Sequence, residues 1–383
     1  MKKSWQTRLI RSDATVPQGY RSLVPPVYRG STTLFPSASQ VDDDWDQYRA
    51  GYTYGLYGTP TALELAARIC ELEGGERTIV VPGGQAAIAL ISFAFLESGS
   101  HLLMPSSAYS PNRKLARSLL SRFGVETTFY DPLIGADVGT LIRENTRLIW
   151  VESPGSITME VQDVPAIAAA AHARDVLVAL DNTWSAGVYL DAFARGVDVT
   201  MQALTKYVGG HSDLLLGTVT TRRPELFERL GAAHQVLGYN ASPDDCSLAL
   251  RGLQTLSVRL SAIERSALEI ARWLAARPEV ERVLHPALAS CPGHEFWQRD
   301  FTGSSGVFSA VFKPGPAQRQ VFEFVDALEL FDVGYSWAGV SSLAVSYTIR
   351  PYEHRIVRFS IGLESTADLI ADLERALERL CLR

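Results

Sequence analysis

Between residues 61 and 250 the chain repeats one unit, a short and mostly apolar run followed by a helical stretch. TIVV (78–81), HLLMP (101–105), RLIWVES (147–153) and VLVALD (176–181) are the runs; VETTFYD (125–131) is a more polar member of the series. The intervening segments TALELAARICELEGG, QAAIALISFAFLE, PNRKLARSLLSRFG and VPAIAAAAHARD read as helices, the first stopped by paired glycines. A strand that faces solvent on one side alternates apolar and polar residues, whereas one buried on both sides does not. Runs without alternation, each separated by a helix, predict an α/β fold with a mostly parallel central sheet flanked by helices.

The texture differs at both ends. Residues 1–60 hold many aromatics and turn formers, with an acidic stretch from Asp42 to Asp46, and lack a core of their own. They are expected to form an arm that packs on a neighbour. Residues 61–250 form the expected main domain. From 251 a long helix (TLSVRLSAIERSALEIARWLAARPE) opens a smaller α+β domain, residues 251–383, whose strands GVFSAVFK and IVRFSIGL are fewer. Its last helix carries a capping signature at Ser365 and Asp368 and an apolar stripe at Leu369, Leu373, Leu377 and Leu380.

Composition narrows the function. A net charge of −6 leaves no basic footprint for nucleic acid or an anionic membrane, and pairs such as Lys2-Lys3 and Arg222-Arg223 read as solvated surface. No apolar run approaches the roughly 18 residues of a membrane span, and no apolar segment follows the basic start MKKSWQTRLIRSD. The four cysteines are scattered without metal-ligand spacing, so a reduced, cytoplasmic protein without structural zinc or disulfides is expected.

Ligands of open α/β sheets bind at the carboxyl ends of the strands, and four groups fall there. Gly83 and Gly84 precede a helix whose first N–H groups suit a phosphate. Asp181 ends a buried strand, where a carboxylate needs a partner. Lys206 lies in VDVTMQALTKYVGGHSD, and 31 of the 36 basic residues are arginine, so a lysine in an apolar stretch calls for chemistry that arginine lacks, such as forming an imine with an aldehyde. Arg358 lies inside IVRFSIGL, placed to grip a carboxylate. Each has a plainer account singly: a tight turn, a cap, a surface lysine, a structural ion pair. His211 and Asp213 have no further ligands at suitable spacing, GxSxG is absent, and TGSSG (302–306) is spaced wrongly for a hydrolase.

Longer strings add a resemblance. CELEGG (70–75), DPLIGAD (131–137), ESPGSITMEVQDVPAI (152–167), DNTW (181–184), TKYVGGHSD (205–213), GHEFWQRDFTGSSG (293–306), YSW (335–337) and IGLE (361–364) resemble the Cys/Met-metabolism group of pyridoxal-phosphate (PLP) enzymes along the whole chain. The resemblance implies PLP fold type I, the aspartate-aminotransferase-like fold, and a homotetramer of catalytic dimers. It implies that Lys206 carries PLP as a Schiff base, that Asp181 partners the pyridine nitrogen, and that Tyr109 stacks on the ring. Gly84, Gln85 and Thr205 would contact the phosphate, joined by Tyr54 from a neighbouring subunit. Arg358, Ser336 and Trp337 would bind an amino-acid substrate. The implied reaction is β-elimination of cystathionine to homocysteine, pyruvate and ammonia, with γ-elimination or γ-synthesis by a sibling, or broader β-lyase activity, as alternatives.

Two positions depart from the family pattern. Tyr54-Gly55-Leu56 replaces Tyr-x-Arg, and Ala203 stands where a serine is frequent. Arg49 or backbone N–H groups are expected to compensate. Lys206→Ala should remove the visible band of lysine-bound cofactor while leaving the fold intact. Borohydride reduction followed by mass spectrometry checks this, and a covalent adduct retained in the mutant would assign another lysine.

Overall fold

The computed structural model describes residues 4–10, 19 and 22–381, so Lys2 and Lys3 lie outside the described residues. Seven strands form the central sheet: β1 (Arg77–Val81), β2 (His101–Pro105), β3 (Glu126–Tyr130), β4 (Thr146–Glu152), β5 (Leu177–Asp181), β6 (Val199–Ala203) and β7 (Gly217–Thr221). Their order is β1-β7-β6-β5-β4-β2-β3. β7 runs antiparallel to both of its neighbours, and every other pairing is parallel. The lack of polar alternation has a direct cause. Leu103, Ile149, Val151, Val178 and Leu180 enter one core cluster, while Leu102, Met104, Leu148, Trp150 and Ala179 from the same strands enter another on the opposite face. Both faces are therefore covered by helices, and neither tolerates a polar residue cheaply.

The helices follow their end signals. Pro60–Glu73 starts with proline in its first turn and stops at Gly74, which adopts a left-handed φ of 70°. The stretch expected as one helix over 111–124 is α-helical over Ser110–Leu115 and then widens to a π turn over Ala116–Leu120. The long helix is longer than the sequence suggests: Pro243–Ala275 spans 33 residues, with the Ser242 side chain accepting from the Asp245 N–H. Gly252 interrupts its helical pattern for a packing reason, since a Cβ there would collide with the carbonyl of Val208.

The second sheet, in the order β10-β11-β12-β9-β8, contains β8 (Val280–Leu284), β9 (Val307–Phe312), β10 (Asp332–Val333), β11 (Leu343–Ile349) and β12 (Glu353–Ser360). Arg358 sits on β12 between Val345 and Ser309. The final helix, Thr366–Cys381, buries Leu369, Leu373, Leu377 and Leu380 in a third core cluster, as their spacing predicts.

One buried acid ties the first helix to the sheet. Glu73, 5% exposed, accepts from Asn182 Nδ2 at 3.3 Å and from Thr200 Oγ1 at 3.1 Å. Burial raises its pKa, and hydrogen bonds from Thr220, Asn182, Thr200 and Gln202 oppose the rise. Glu73→Ala strips the acceptor from several buried donors and should cost about 2–4 kcal/mol of stability. Urea unfolding followed by circular dichroism measures it; an unchanged midpoint would mean that the donors re-pair among themselves.

Candidate active site

Strand ends build the site. A cavity of about 340 Å³ opens at the carboxyl ends of β1, β4, β5 and β6, and its wall includes Gly83, Gly84, Gln85, Tyr109, Asp181, Thr205, Lys206 and Trp337. That volume lies in the range of small-molecule sites. Residues from five separate stretches of chain meet here.

Lys206 stands in a tight turn directly after β6. Its backbone N–H reaches Ala203 O at 3.0 Å, while Gly209 N–H reaches Leu204 O and Gly210 N–H reaches Lys206 O, both at 2.7 Å. Buried Arg259 holds the same turn by donating to Tyr207 O at 2.6 Å. The Lys206 amine donates to Ser336 Oγ at 2.7 Å and lies 5.3 Å from the centre of the Trp337 ring. Burial first, then the charge of Arg358, lower its pKa to about 8, against a smaller opposing pull from Asp181. Far more of such an amine is neutral and nucleophilic near physiological pH than of an ordinary lysine.

Asp181 ends β5 and accepts from the Thr183 N–H at 3.0 Å. Burial raises its pKa, and the bonds from Thr183 and the charge of Lys206 resist the rise. The helix Gly84–Phe95 begins at the cavity wall, and no side chain caps it. A Cβ on Gly84 would lie 2.7 Å from that of Ala203. The departure at Ala203 therefore sits against the helix start, where two small residues meet. The Thr205 hydroxyl is engaged with Leu216, donating to its carbonyl and accepting from its N–H, each at 3.2 Å.

Arg358 is 7% exposed and has no ion pair among the described residues. Its guanidinium makes only long contacts, 3.4 Å to the carbonyls of Ser156 and Ser336, and stands 5.3 Å from the Tyr347 ring centre. Burial lowers its pKa. A buried cation held by two long bonds keeps donors to spare for a carboxylate. Ser336 pays in conformation for its place, with φ at 110°, a strained value for a residue with a side chain.

Neither Tyr54 nor Arg49 lines the cavity of its own chain. Tyr54 is 44% exposed, its ring 6.2 Å from that of Tyr57. Arg49 is committed to Asp44 at 2.8 Å and Glu228 at 3.2 Å. Leu56 packs beside Trp45 and Phe227 in another hollow. His211 bonds the carbonyl of Gly209. Sequence reasoning missed Glu152, Met159, Trp184 and Val307 in the wall. The apolar three carry no sequence signal. Glu152 had one, as a carboxylate that closes an apolar strand run; that it faces Asp181 in register is the work of the fold.

A nucleophilic buried lysine, a carboxylate one strand away and an uncapped helix start define an α/β enzyme built to hold an aldehyde cofactor that carries a phosphate. The residues fit PLP: an imine-forming amine, an acid for the ring nitrogen, and a glycine cradle with no room for a Cβ at Gly84. The sequence matches the Cys/Met metabolism PLP-dependent enzymes over residues 6–378, and the chain belongs to that family. It is 44% identical to the cystathionine beta-lyase MetC of Escherichia coli, with 99% of each chain covered. It is 41% identical to the cystathionine beta-lyase of Bordetella avium over 92% of this chain and 91% of the relative. The crystal structure of metB from Corynebacterium glutamicum superposes with a TM-score of 0.91 at 30% identity, covering 99% of this chain and 98% of that one. The fold is PLP fold type I, and PLP is the cofactor.

Only the neutral amine attacks an aldehyde, so capture of PLP by the apoprotein should rise with pH through a midpoint near 8 rather than the ordinary lysine value of 10.5. Arg358→Leu removes a cation that lowers this pKa and should move the midpoint upward. Stopped-flow absorbance across pH measures both; an unshifted midpoint in the mutant would separate Arg358 from Lys206.

Proposed function

We propose that the chain is a carbon–sulfur lyase that cleaves cystathionine by β-elimination, releasing homocysteine, pyruvate and ammonia. Lys206 would hold the cofactor, Asp181 would partner its ring nitrogen, Tyr109 would pack on the ring, and Gly84, Gln85 and Thr205 would take the phosphate. When bound, PLP supplies an aldehyde for covalent attachment and a ring that draws electrons from the substrate Cα. The observation that carries the reading is the buried guanidinium of Arg358, without an ion pair among the described residues, near the buried amine of Lys206. Arg358 takes the α-carboxylate of an amino acid, which brings the α-hydrogen towards Lys206 Nζ.

With its amine free, Lys206 Nζ would take the Cα proton of the bound amino acid. Its pKa of about 8 then makes it a competent acid for a leaving thiolate, whose ordinary pKa is about 8.5. The Tyr109 hydroxyl is a weaker acid than an ordinary tyrosine, because burial and then Asp181 and Glu152 raise its pKa, against Arg358. Lys206 is therefore the group that passes the proton to sulfur, and Tyr109 remains neutral and orients.

The choice of β over γ chemistry rests on reach. γ-Elimination needs a second proton removed from Cβ, hence a base that travels along the substrate. Lys206 stands in a turn fixed by Arg259, with its amine held by Ser336 below the Trp337 wall. The relatives named as beta-lyases support the same choice.

Residues 1–60 act as an arm towards a second copy, 61–250 as the cofactor domain and 251–383 as the smaller domain. Exposed Leu34, Val41 and Tyr54 on the arm support a homotetramer of catalytic dimers, in which Tyr54 reaches the neighbour's phosphate. The free thiols Cys70, Cys246 and Cys291 suit a reducing cytoplasm. Among the described residues, no helix is long and apolar enough to cross a membrane.

Purified protein incubated with cystathionine should release pyruvate in equal amount to homocysteine. Chromatographic identification of the keto acid decides it, because 2-oxobutyrate with cysteine would assign γ-elimination and leave the cofactor site as it stands.

A further inference from the structure

We propose that Glu152 is a positioning residue whose carboxyl group, one strand over from Asp181, holds the backbone of Tyr109 at the cavity wall. β4 ends at Glu152 and β5 at Asp181, and the two residues are register partners on neighbouring parallel strands. Side chains at matched register project from the same face, with backbones about 5 Å apart. Both line the cavity. Glu152 Oε2 accepts the Tyr109 N–H at 2.7 Å, a bond in the range of charge-assisted or strong buried contacts.

That bond is the last anchor before the aromatic ring. The turn leading to Tyr109 is held at Ser106, whose N–H reaches Tyr130 O at 2.8 Å, and at Ser107, whose carbonyl accepts from Ser156 N–H at 3.1 Å. The short helix after Tyr109 has no side-chain cap. Without Glu152, the half-exposed Tyr109 would have a part-buried N–H lacking its acceptor.

Two buried carboxyl groups this close do not both ionise cheaply. The groups that face Glu152 are Asp181 on β5, Arg113 on the helix after Tyr109, Tyr109 itself and Tyr130 on β3. Arg113 donates to the Ser106 carbonyl, not to Glu152. Burial first, then Asp181, push Glu152 well above the ordinary carboxyl range. Asp181 is restrained by Thr183 and by the charge of Lys206. Lys206 favours the anion at Asp181, so the pair favours a proton on Glu152. A neutral acid still accepts an N–H through its carbonyl oxygen, so glutamine is a fair mimic.

The inference rests on the cofactor site proposed above, and a visible band in wild-type protein loaded with PLP establishes that site independently. E152A and E152Q are titrated with PLP, alone and in a Y109A background, and the visible band is followed across pH. E152A should weaken cofactor binding about tenfold, which is what losing one buried hydrogen bond converts to, and E152Q should recover binding to within about threefold of wild type. The pH midpoint of the band should be the same in E152Q and wild type, because Glu152 acts through a hydrogen bond and not through its charge. In the Y109A background the effect of E152A should vanish, as expected when one residue acts through the other. Wild-type affinity in E152A overturns the proposal. So does E152Q binding as weakly as E152A, or an undiminished effect without Tyr109. If E152A does not fold, E152D, one methylene short of the Tyr109 N–H, carries the same comparison. A wild type without the visible band would instead sink the cofactor site itself.

Discussion

The burial of one amine organises this molecule's chemistry. Lys206 is kept out of water by Trp337 and the turn after β6, and water is what would otherwise hold its proton. Desolvation is the largest cause of its shift to about 8. Each neighbour then acts on that amine in a low dielectric: Arg358 pushes the proton off, Asp181 draws it back, and Ser336 fixes the direction of Nζ. Moved to the surface, the same residues would be ordinary.

Keeping the amine there takes an extended support. The turn is stitched by three backbone bonds and braced by Arg259, itself a buried cation paid out in carbonyl contacts to Tyr207, Val208 and Gly252. The glycine at 252 exists so that the long helix can pass close enough for this brace. Glu73 collects donors from Asn182, the residue after Asp181, and from β6 and β7. The site is thus rigid at its catalytic end. The least engaged polar groups are at its substrate end, where Arg358 makes only long contacts. That division suits a site that holds the Lys206 amine still and leaves the Arg358 guanidinium donors to spare for a carboxylate.

The amino-acid sequence determined the mostly parallel sheet, because apolar runs without alternation that are separated by helices are buried best between two helical layers. It also determined the end signals of the helices, the arginine-for-lysine bias that marks Lys206, and the strand-end positions of Gly84 and Asp181. The resemblance in its long strings supplied roles that spacing could not. Tertiary structure decided the rest. It showed that Ala203 faces Gly84, that the Thr205 hydroxyl is already engaged, that Arg49 is taken up by carboxylates, and that Glu152 lies beside Asp181. These are relations between residues far apart in the chain. Local pattern records the face on which a side chain must hide, because burial acts on each residue separately. Partnership depends on distance across strands and turns, and only the folded chain fixes that.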